Sequence, residues 1–392
     1  MNRFQTNLRI PGPTSLPDAA REAGSRQMIN HRGPEFAGIL ERVGARMKPF
    51  FGTENQIMFV GCSGTGGLEA AVVNTLSPGD KVLGISIGAF GDRIAKIASV
   101  YGADVTKLDV EWGTAADPER VKEALRAGSG WKAVLMTHNE TSTSVMNPVK
   151  ELAAAIREVA PDALIIMDGV SSLGGVAFEQ DAWGIDVVIS GSQKSWMAAP
   201  GVAFVSMSER AWKAYETAKM PRFYLDLGRH RDALANKETP WTPAIGVMFQ
   251  LDATLAMMEA EGKEAIFARH HACAHATRAG LAALGFRLFA DQAHASITVT
   301  GAWIPEGMDW KAYNARLKEA KLVLAGGQAH LKGKIFRVGH LGTVVLDEIL
   351  GALSVMEEAA VEMGMPIVPG TAISAAQRAA LEVLHPELAV RA

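Results

Sequence analysis

The strongest constraint on this chain is an alternation. Between residues 57 and 205, short apolar runs recur, and stretches of helical periodicity separate most of them. The pattern predicts strands at Ile57–Val60, Lys81–Ile85, Val105–Val110, Ala133–Thr137, Ala163–Met167, Val187–Ile189 and Val202–Val205. It predicts helices at Leu68–Leu76, Phe90–Tyr101, Pro118–Ala127 and Pro148–Val159. Strands joined through helices lie mostly parallel, so the expected fold class is α/β, a mostly parallel sheet with helices on both faces. Ligands of such sheets bind beyond the carboxyl ends of the strands. The polar turns that follow the apolar runs are therefore where chemistry is to be sought.

The flanks differ. Leu8–Pro17 is too proline-rich for a helix or a central strand and reads as an extended arm lying on something else. Asn30–Phe36 is irregular and leads into a helix over about Glu35–Phe50; its His31-Arg32 pair is a candidate cation for a second acidic group. After Thr242 come long helices, Ile245–Glu261 and Lys263–Leu284, then short strands at Arg287–Phe289, Ser296–Thr300 and Ile335–Val338. Helices are expected near Trp310–Ala320, Leu346–Met363 and Ala375–Leu384, giving a smaller α+β unit. The expected division is an arm at 1–20, a large domain at 21–243 and a small domain at 244–392.

The 392 residues suffice for two cores. A net charge of −3, with no basic cluster interleaved with aromatics, gives nucleic acid and anionic membranes nothing to hold. Met1–Asn7 lacks the apolar core of a signal peptide, and no run reaches transmembrane length. Two cysteines, Cys62 and Cys273, make neither a disulfide framework nor a metal site. A cytoplasmic enzyme is the expectation.

Four strand ends carry candidate chemistry. Gly61–Gly67 joins a strand to a helix, so its backbone N–H groups suit a phosphate; it lacks the Lys-Ser/Thr of a nucleotide-triphosphate loop. Phe90 follows another strand, where an aromatic can stack on a planar ring. Asp168 follows an apolar strand and is either a turn-holding acid or a partner for a cationic ring nitrogen. Lys194 lies between two strands among small residues, where burial can lower an amine pKa and make it a nucleophile. Each alone has a bland reading, but a phosphate cradle, a ring platform, an acid and an amine together are what pyridoxal phosphate needs.

These segments resemble the class V, fold-type I pyridoxal-phosphate aminotransferases, in the alanine–glyoxylate, serine–glyoxylate and serine–pyruvate branch. The resemblance rests on Pro11–Thr14, Leu68–Ala71, Thr137–Thr143, Asp168–Gly175, Ser190–Lys194, Thr239–Ala244 and Phe336–Gly342. It implies a seven-stranded, mostly parallel sheet in the large domain. It implies Lys194 as the Schiff-base lysine and proton shuttle, Asp168 on the pyridine nitrogen and Val170 against the ring. Ser63, Gly64, Thr65 and Gln193 would serve the phosphate and ring site, Phe90 would stack on the ring, and Thr141 would bond near the phenolic oxygen. Thr242, with Thr239, would reach the phosphate of a neighbouring subunit, making the site a property of a homodimer. Arg337 would grip the substrate α-carboxylate, and Pro11 and Gly12 would line the pocket. The implied reaction is a ping-pong amino transfer from a small amino acid, serine or alanine favoured, to glyoxylate or pyruvate.

Alternatives on the same fold are aspartate–glyoxylate or pyridoxamine–pyruvate transamination, and a cysteine desulfurase or lyase. The last needs a reactive cysteine on a mobile loop, a place neither Cys62 nor Cys273 occupies. His271 and His275 are one helical turn apart, but no third metal ligand accompanies them. An oligomeric protein that merely binds phosphate would have no need of Lys194, Asp168 and Arg337 together.

Overall fold

The computed structural model describes residues 6–389. Its strands are β1 (Asn7–Arg9), β2 (Ile57–Val60), β3 (Lys81–Ser86), β4 (Asp104–Asp109), β5 (Trp131–Thr137), β6 (Asn139–Glu140) and β7 (Val145–Met146). They continue with β8 (Leu164–Asp168), β9 (Val187–Gly191), β10 (Ala203–Met207), β11 (Val299–Trp303), β12 (Leu322–Gly326) and β13 (Ile335–Gly339). The helices used below are α1 (Asp18–Gly24), α2 (Pro34–Phe51), α3 (Gly64–Thr75), α4 (Ala89–Val100), α5 (Pro118–Arg126), α6 (Val149–Val159), α7 (Glu209–Thr217), α8 (Leu227–Ala235), α9 (Ile245–Glu261) and α10 (Lys263–Ala283).

Seven strands form the main sheet in the order β2-β10-β9-β8-β5-β3-β4. Only β10 runs against its neighbours; β9, β8, β5, β3 and β4 pair in parallel. The α/β expectation therefore holds. β8, β9 and β10 are buried along their whole length, as strands covered on both faces must be, and this is why their sequences are continuous apolar runs. β4 lies at the edge and is polar. One apolar cluster, with Val43, Phe51, Ile165 and Phe204, covers one face; another, with Leu68, Val72, Ile166 and Val205, covers the other.

Beyond the sheet the sequence is less faithful. β1 from the amino-terminal arm pairs in parallel with β12, so the arm lies on a second sheet, β1-β12-β13-β11. β12 and the short helices α1, α7 and α8 lie outside the elements expected from the sequence, although α7 is amphipathic, with Ala211 and Ala214 buried. The strand expected at Ser296–Thr300 begins instead at Val299, because the Ser296 hydroxyl accepts from Thr298 N and Val299 N and the Thr298 hydroxyl donates to the distant Ser171 O. Leu288 makes a single bridge to Ala302 rather than a strand over 287–289. Helix α9, placed by sequence in the C-terminal unit, buries Met248, Phe249 and Leu255 in the cluster that contains Phe36 and Val43 of α2. By packing it belongs with the large sheet.

Candidate active site

Lys194 stands three residues beyond β9 on a clipped turn. Ser192 Oγ donates to Ala199 O at 2.7 Å, and the buried Trp196 donates from Nε1 to Ser190 Oγ at 2.8 Å. The amino-terminal arm closes over this turn: Thr14 N donates to Gln193 O at 3.0 Å, and Thr14 Oγ1 to Lys194 O at 3.1 Å. Lys194 Nζ donates to the carbonyl oxygen of Pro11. A Cβ on Gly12, whose φ is +120°, would lie 2.6 Å from Nζ. Burial pushes the Lys194 amine down to about 8; Asp168 opposes the shift, while Arg337 and Arg93 add to it.

Asp168 is the last residue of β8, in register with Thr137 of β5 and Ile189 of β9. Its Oδ1 accepts from Val170 N at 2.9 Å. Burial pushes the carboxyl up to about 6; the Val170 bond opposes this, and the charge of Glu140 adds to it. Val170 leans on Gly64, where a Cβ would meet Val170 Cγ2 at 2.7 Å. Gly64 opens α3 with Ser63 at its N-cap, so the N–H groups of its first turn have no intrahelical acceptor. Ser63 is exposed, Thr65 is half-buried, and the Gln193 amide oxygen is buried with no hydrogen-bond partner among the described residues.

The stretch Thr137–Ser144 ties the remaining groups together. Glu140, fully buried, accepts from Phe90 N and Gly91 N through Oε2, each at 3.0 Å, and from Ser142 N and Oγ through Oε1. Gly88 is required here, since a Cβ would meet Glu140 Cγ at 2.4 Å. The Phe90 ring is covered by the Arg93 guanidinium, 4.5 Å from its centroid, and Arg93 Nη1 donates to Thr65 Oγ1 at 3.2 Å. Thr141 Oγ1 donates to Ser171 Oγ at 2.8 Å. Arg337, 5% exposed, donates from Nε and Nη2 to Gly326 O and from Nη1 to Thr141 O. Burial pushes it down to about 10, and among the described residues no carboxylate pairs with it. Two of its five N–H donors are uncommitted.

Pro11, Gly12, Ser63, Gly64, Thr65, Phe90, Thr141, Asp168, Val170, Gln193, Lys194 and Arg337 thus converge at the carboxyl ends of the parallel strands and the facing edge of β13. Thr239 and Thr242 stand apart. They line a cleft with Phe59, Gly61, Tyr224, His230 and Trp241, and Thr239 Oγ1 is taken by Trp241 O at 2.8 Å. The exposed Arg32 bonds His31 at 2.9 Å and reaches Glu238 at 3.9 Å, so the His31-Arg32 pair lies beside this second group rather than with Lys194. Glu140 and Arg93 were missed by sequence reasoning. Glu140 sits inside a segment whose hydroxyls drew attention instead, and Arg93 is one helical turn after Phe90, a spacing that makes the stack.

Burial pushes the Cys62 thiol up to about 11 and the Cys273 thiol up to about 12, the reverse of what a sulfur nucleophile needs. Among the described residues no three His, Cys, Asp or Glu side chains gather to hold a metal.

The family profile for class-V aminotransferases matches residues 19–342. The chain belongs to the class-V aminotransferases. Within this family, a protein of Anabaena cylindrica named soluble hydrogenase 42 kDa subunit is 43% identical over 91% of this chain and 94% of its own. The L-aspartate–glyoxylate aminotransferase of Paracoccus denitrificans is 36% identical over 95% of this chain and 96% of its own. The serine–glyoxylate aminotransferase of Methylorubrum extorquens is 35% identical over 95% of each. Among solved structures, the subgroup IV aspartate aminotransferase of Thermus thermophilus superposes with a TM-score of 0.85 at 32% identity, covering 91% of this aminotransferase and 99% of its own chain. These matches give the aminotransferase the fold-type I architecture that its sheet order displays. Among the described residues no helix is long and apolar enough to cross a membrane.

Proposed function

We propose that this aminotransferase depends on pyridoxal phosphate and moves the amino group of a small amino acid, serine or alanine first, to glyoxylate or pyruvate. The observation that supports this most directly is the meeting of a depressed amine, Lys194, and a buried carboxyl, Asp168, at adjacent parallel strand ends. The residues present fit the cofactor: Gly64 lets the head of α3 close on Val170 beside Asp168, and the first-turn N–H groups of α3 have no intrahelical acceptor and suit a phosphate. When bound, the cofactor supplies a carbonyl that takes up the amino group and a cationic ring that accepts the electron pair of the donor Cα.

In this reading, Lys194 Nζ moves the proton off the donor Cα, and its lowered pKa leaves a neutral fraction to do so near neutral pH. Asp168, ionised above about pH 6, holds the ring nitrogen charged. The first-turn N–H groups of Gly64 and Thr65, with Ser63 and Gln193, hold the phosphate. Phe90 and Val170 bracket the ring, Thr141 bonds beside it, and Arg337 offers its spare N–H pair to the donor carboxylate. Pro11 and Gly12 narrow the pocket to small donors.

The proposal includes a homodimer in which Thr242 and Thr239 serve the partner's phosphate. Thr242 is exposed, beside a half-buried Trp241 on which the exposed Phe223 and Tyr224 stack. Cytoplasmic residence is part of it, supported by two unpaired cysteines. Aspartate as donor is the second reading; the Paracoccus relative carries that name, and the exposed Arg32 is a cation close to Glu238, next to Thr239 at the proposed subunit contact. The hydrogenase named in the Anabaena relative has no matching set of metal donors among the described residues.

The test is the absorbance spectrum of the purified holoenzyme after serine, alanine or aspartate is added singly without an acceptor. Bleaching of the cofactor band by serine or alanine bears the proposal out, and bleaching by aspartate alone transfers it to the second reading. A protein that takes up no pyridoxal phosphate overturns both.

A further inference from the structure

A second cationic site lies behind the turn that carries Thr141. A narrow, partly open cleft, with interior room for about one water-sized guest, is lined by Ser144, Arg278, Gln292, Thr300 and Gly301, with apolar walls that include Leu288 and Val299. Arg278 projects from α10 and is half-buried, which lowers its pKa; no carboxylate among the described residues opposes that shift. Among the described residues its Nη1 alone has an acceptor, Ser296 O at 3.1 Å. Ser144, 1% exposed, faces the same cleft with a hydroxyl that has no partner among the described residues. The hydroxyl has room because residue 301 is glycine, where a Cβ would lie 2.9 Å from Ser144 Oγ. Thr300 is already committed: the His340 ring bonds Ile297 O through Nδ1 and Thr300 Oγ1 through Nε2.

A half-buried guanidinium without a counter-charge and a buried hydroxyl without an acceptor are each costly by themselves. One negatively charged guest satisfies both, accepting from Arg278 and from Ser144. The lining carries no Asp or Glu to repel it, and its apolar walls favour a weakly hydrated ion over a polyvalent one.

We propose that the Arg278–Ser144 cleft is an anion-binding site separate from the amino-acid site, taking a small monovalent anion, either a halide or a short carboxylate. Its occupancy reaches the reaction through the backbone. Ser144 N donates to Glu140 O at 2.9 Å and Ser144 O accepts from Ser296 N at 2.9 Å, so Ser144 closes the turn whose Thr141 carbonyl holds Arg337. An anion that fixes Ser144 fixes the acceptor that orients Arg337.

The test is the melting temperature of the holoenzyme in sodium bromide and in sodium acetate, against sodium gluconate at equal ionic strength, for wild type, Arg278→Gln and Ser144→Ala. Gluconate is too large for the cleft. A saturable rise is expected in wild type, in bromide alone for a halide site or in both salts for a site that also takes carboxylates. Arg278→Gln abolishes that rise. Ser144→Ala, which removes an unpartnered hydroxyl and leaves the fold intact in gluconate, requires roughly tenfold more anion for the same rise. No rise in wild type, or an equal rise in all three proteins, overturns the proposal; an equal rise assigns the effect to anions at Arg337 or the phosphate cradle.

Discussion

Lys194 Nζ donates a hydrogen bond to the carbonyl oxygen of Pro11, 183 residues earlier in the chain. The arm that supplies this acceptor is held by β1 against β12, so the position of the amine depends on the small sheet as well as on β9. An amine held on a neutral carbonyl, with burial lowering its pKa to about 8, is restrained yet reactive.

Gly12 is the place to disturb this relationship. Its φ of +120° disfavours any side chain, and a methyl would sit 2.6 Å from Nζ. Gly12→Ala should displace the arm, cost about 1–3 kcal/mol of stability, and remove most of the transaminase activity. Thermal melts and steady-state turnover measure the two effects together.

Asp168 gives a pH signature in the cofactor-free protein. Its folded pKa of about 6 lies above the ordinary 3.8, so the folded state holds the proton more tightly than the unfolded state. The carboxyl is therefore most favourable to folding at low pH, and that advantage is lost as pH rises from about 4 through about 6. Above that window the buried carboxylate costs roughly 3 kcal/mol, which asparagine avoids. Asp168→Asn should accordingly melt higher than wild type at pH 7 without cofactor, with the gap closing below pH 4. With pyridoxal phosphate bound the gain should vanish, because the carboxylate acquires a cationic partner.

Arg337→Lys tests the carboxylate grip. Lysine keeps the charge but cannot reproduce the guanidinium fork that spans Gly326 O, Thr141 O and a ligand. The expected outcome is a rise in KM for the amino donor of roughly ten- to a hundredfold with a smaller change in kcat. Equal KM values for the two proteins would assign carboxylate binding elsewhere.

Glu140→Gln tests the support of the ring platform. The carboxylate accepts four hydrogen bonds, two of them from the start of α4. Glutamine turns an acceptor pair into a donor facing donors, which should destabilise the protein by about 2–4 kcal/mol. Loosening Phe90 should weaken retention of pyridoxal phosphate, measurable by dialysis and absorbance.

The legible part of the site was the part that is local in sequence. Asp168 and Lys194 each follow an apolar run by a few residues, and a parallel sheet sends such residues to one edge. Glu140 and Arg93 were not legible, because their roles come from contacts with Gly88–Gly91 and with Phe90 and Thr65 that no periodicity announces. The His31-Arg32 pair drew attention as a substrate cation, and local sequence could not show that the fold sets Arg32 near Glu238, on the side of Thr239.

The sequence by itself determined the α/β class, the main sheet's strands and the residues at their carboxyl ends, since hydrophobic periodicity is set by which faces are buried. Tertiary structure alone decided that β1 would join β12, that α9 would pack with the large sheet, and that Pro11 would meet Lys194. Those choices pair surfaces far apart in the chain. They depend on how whole elements fit against one another, which leaves almost no trace in the local order of residues.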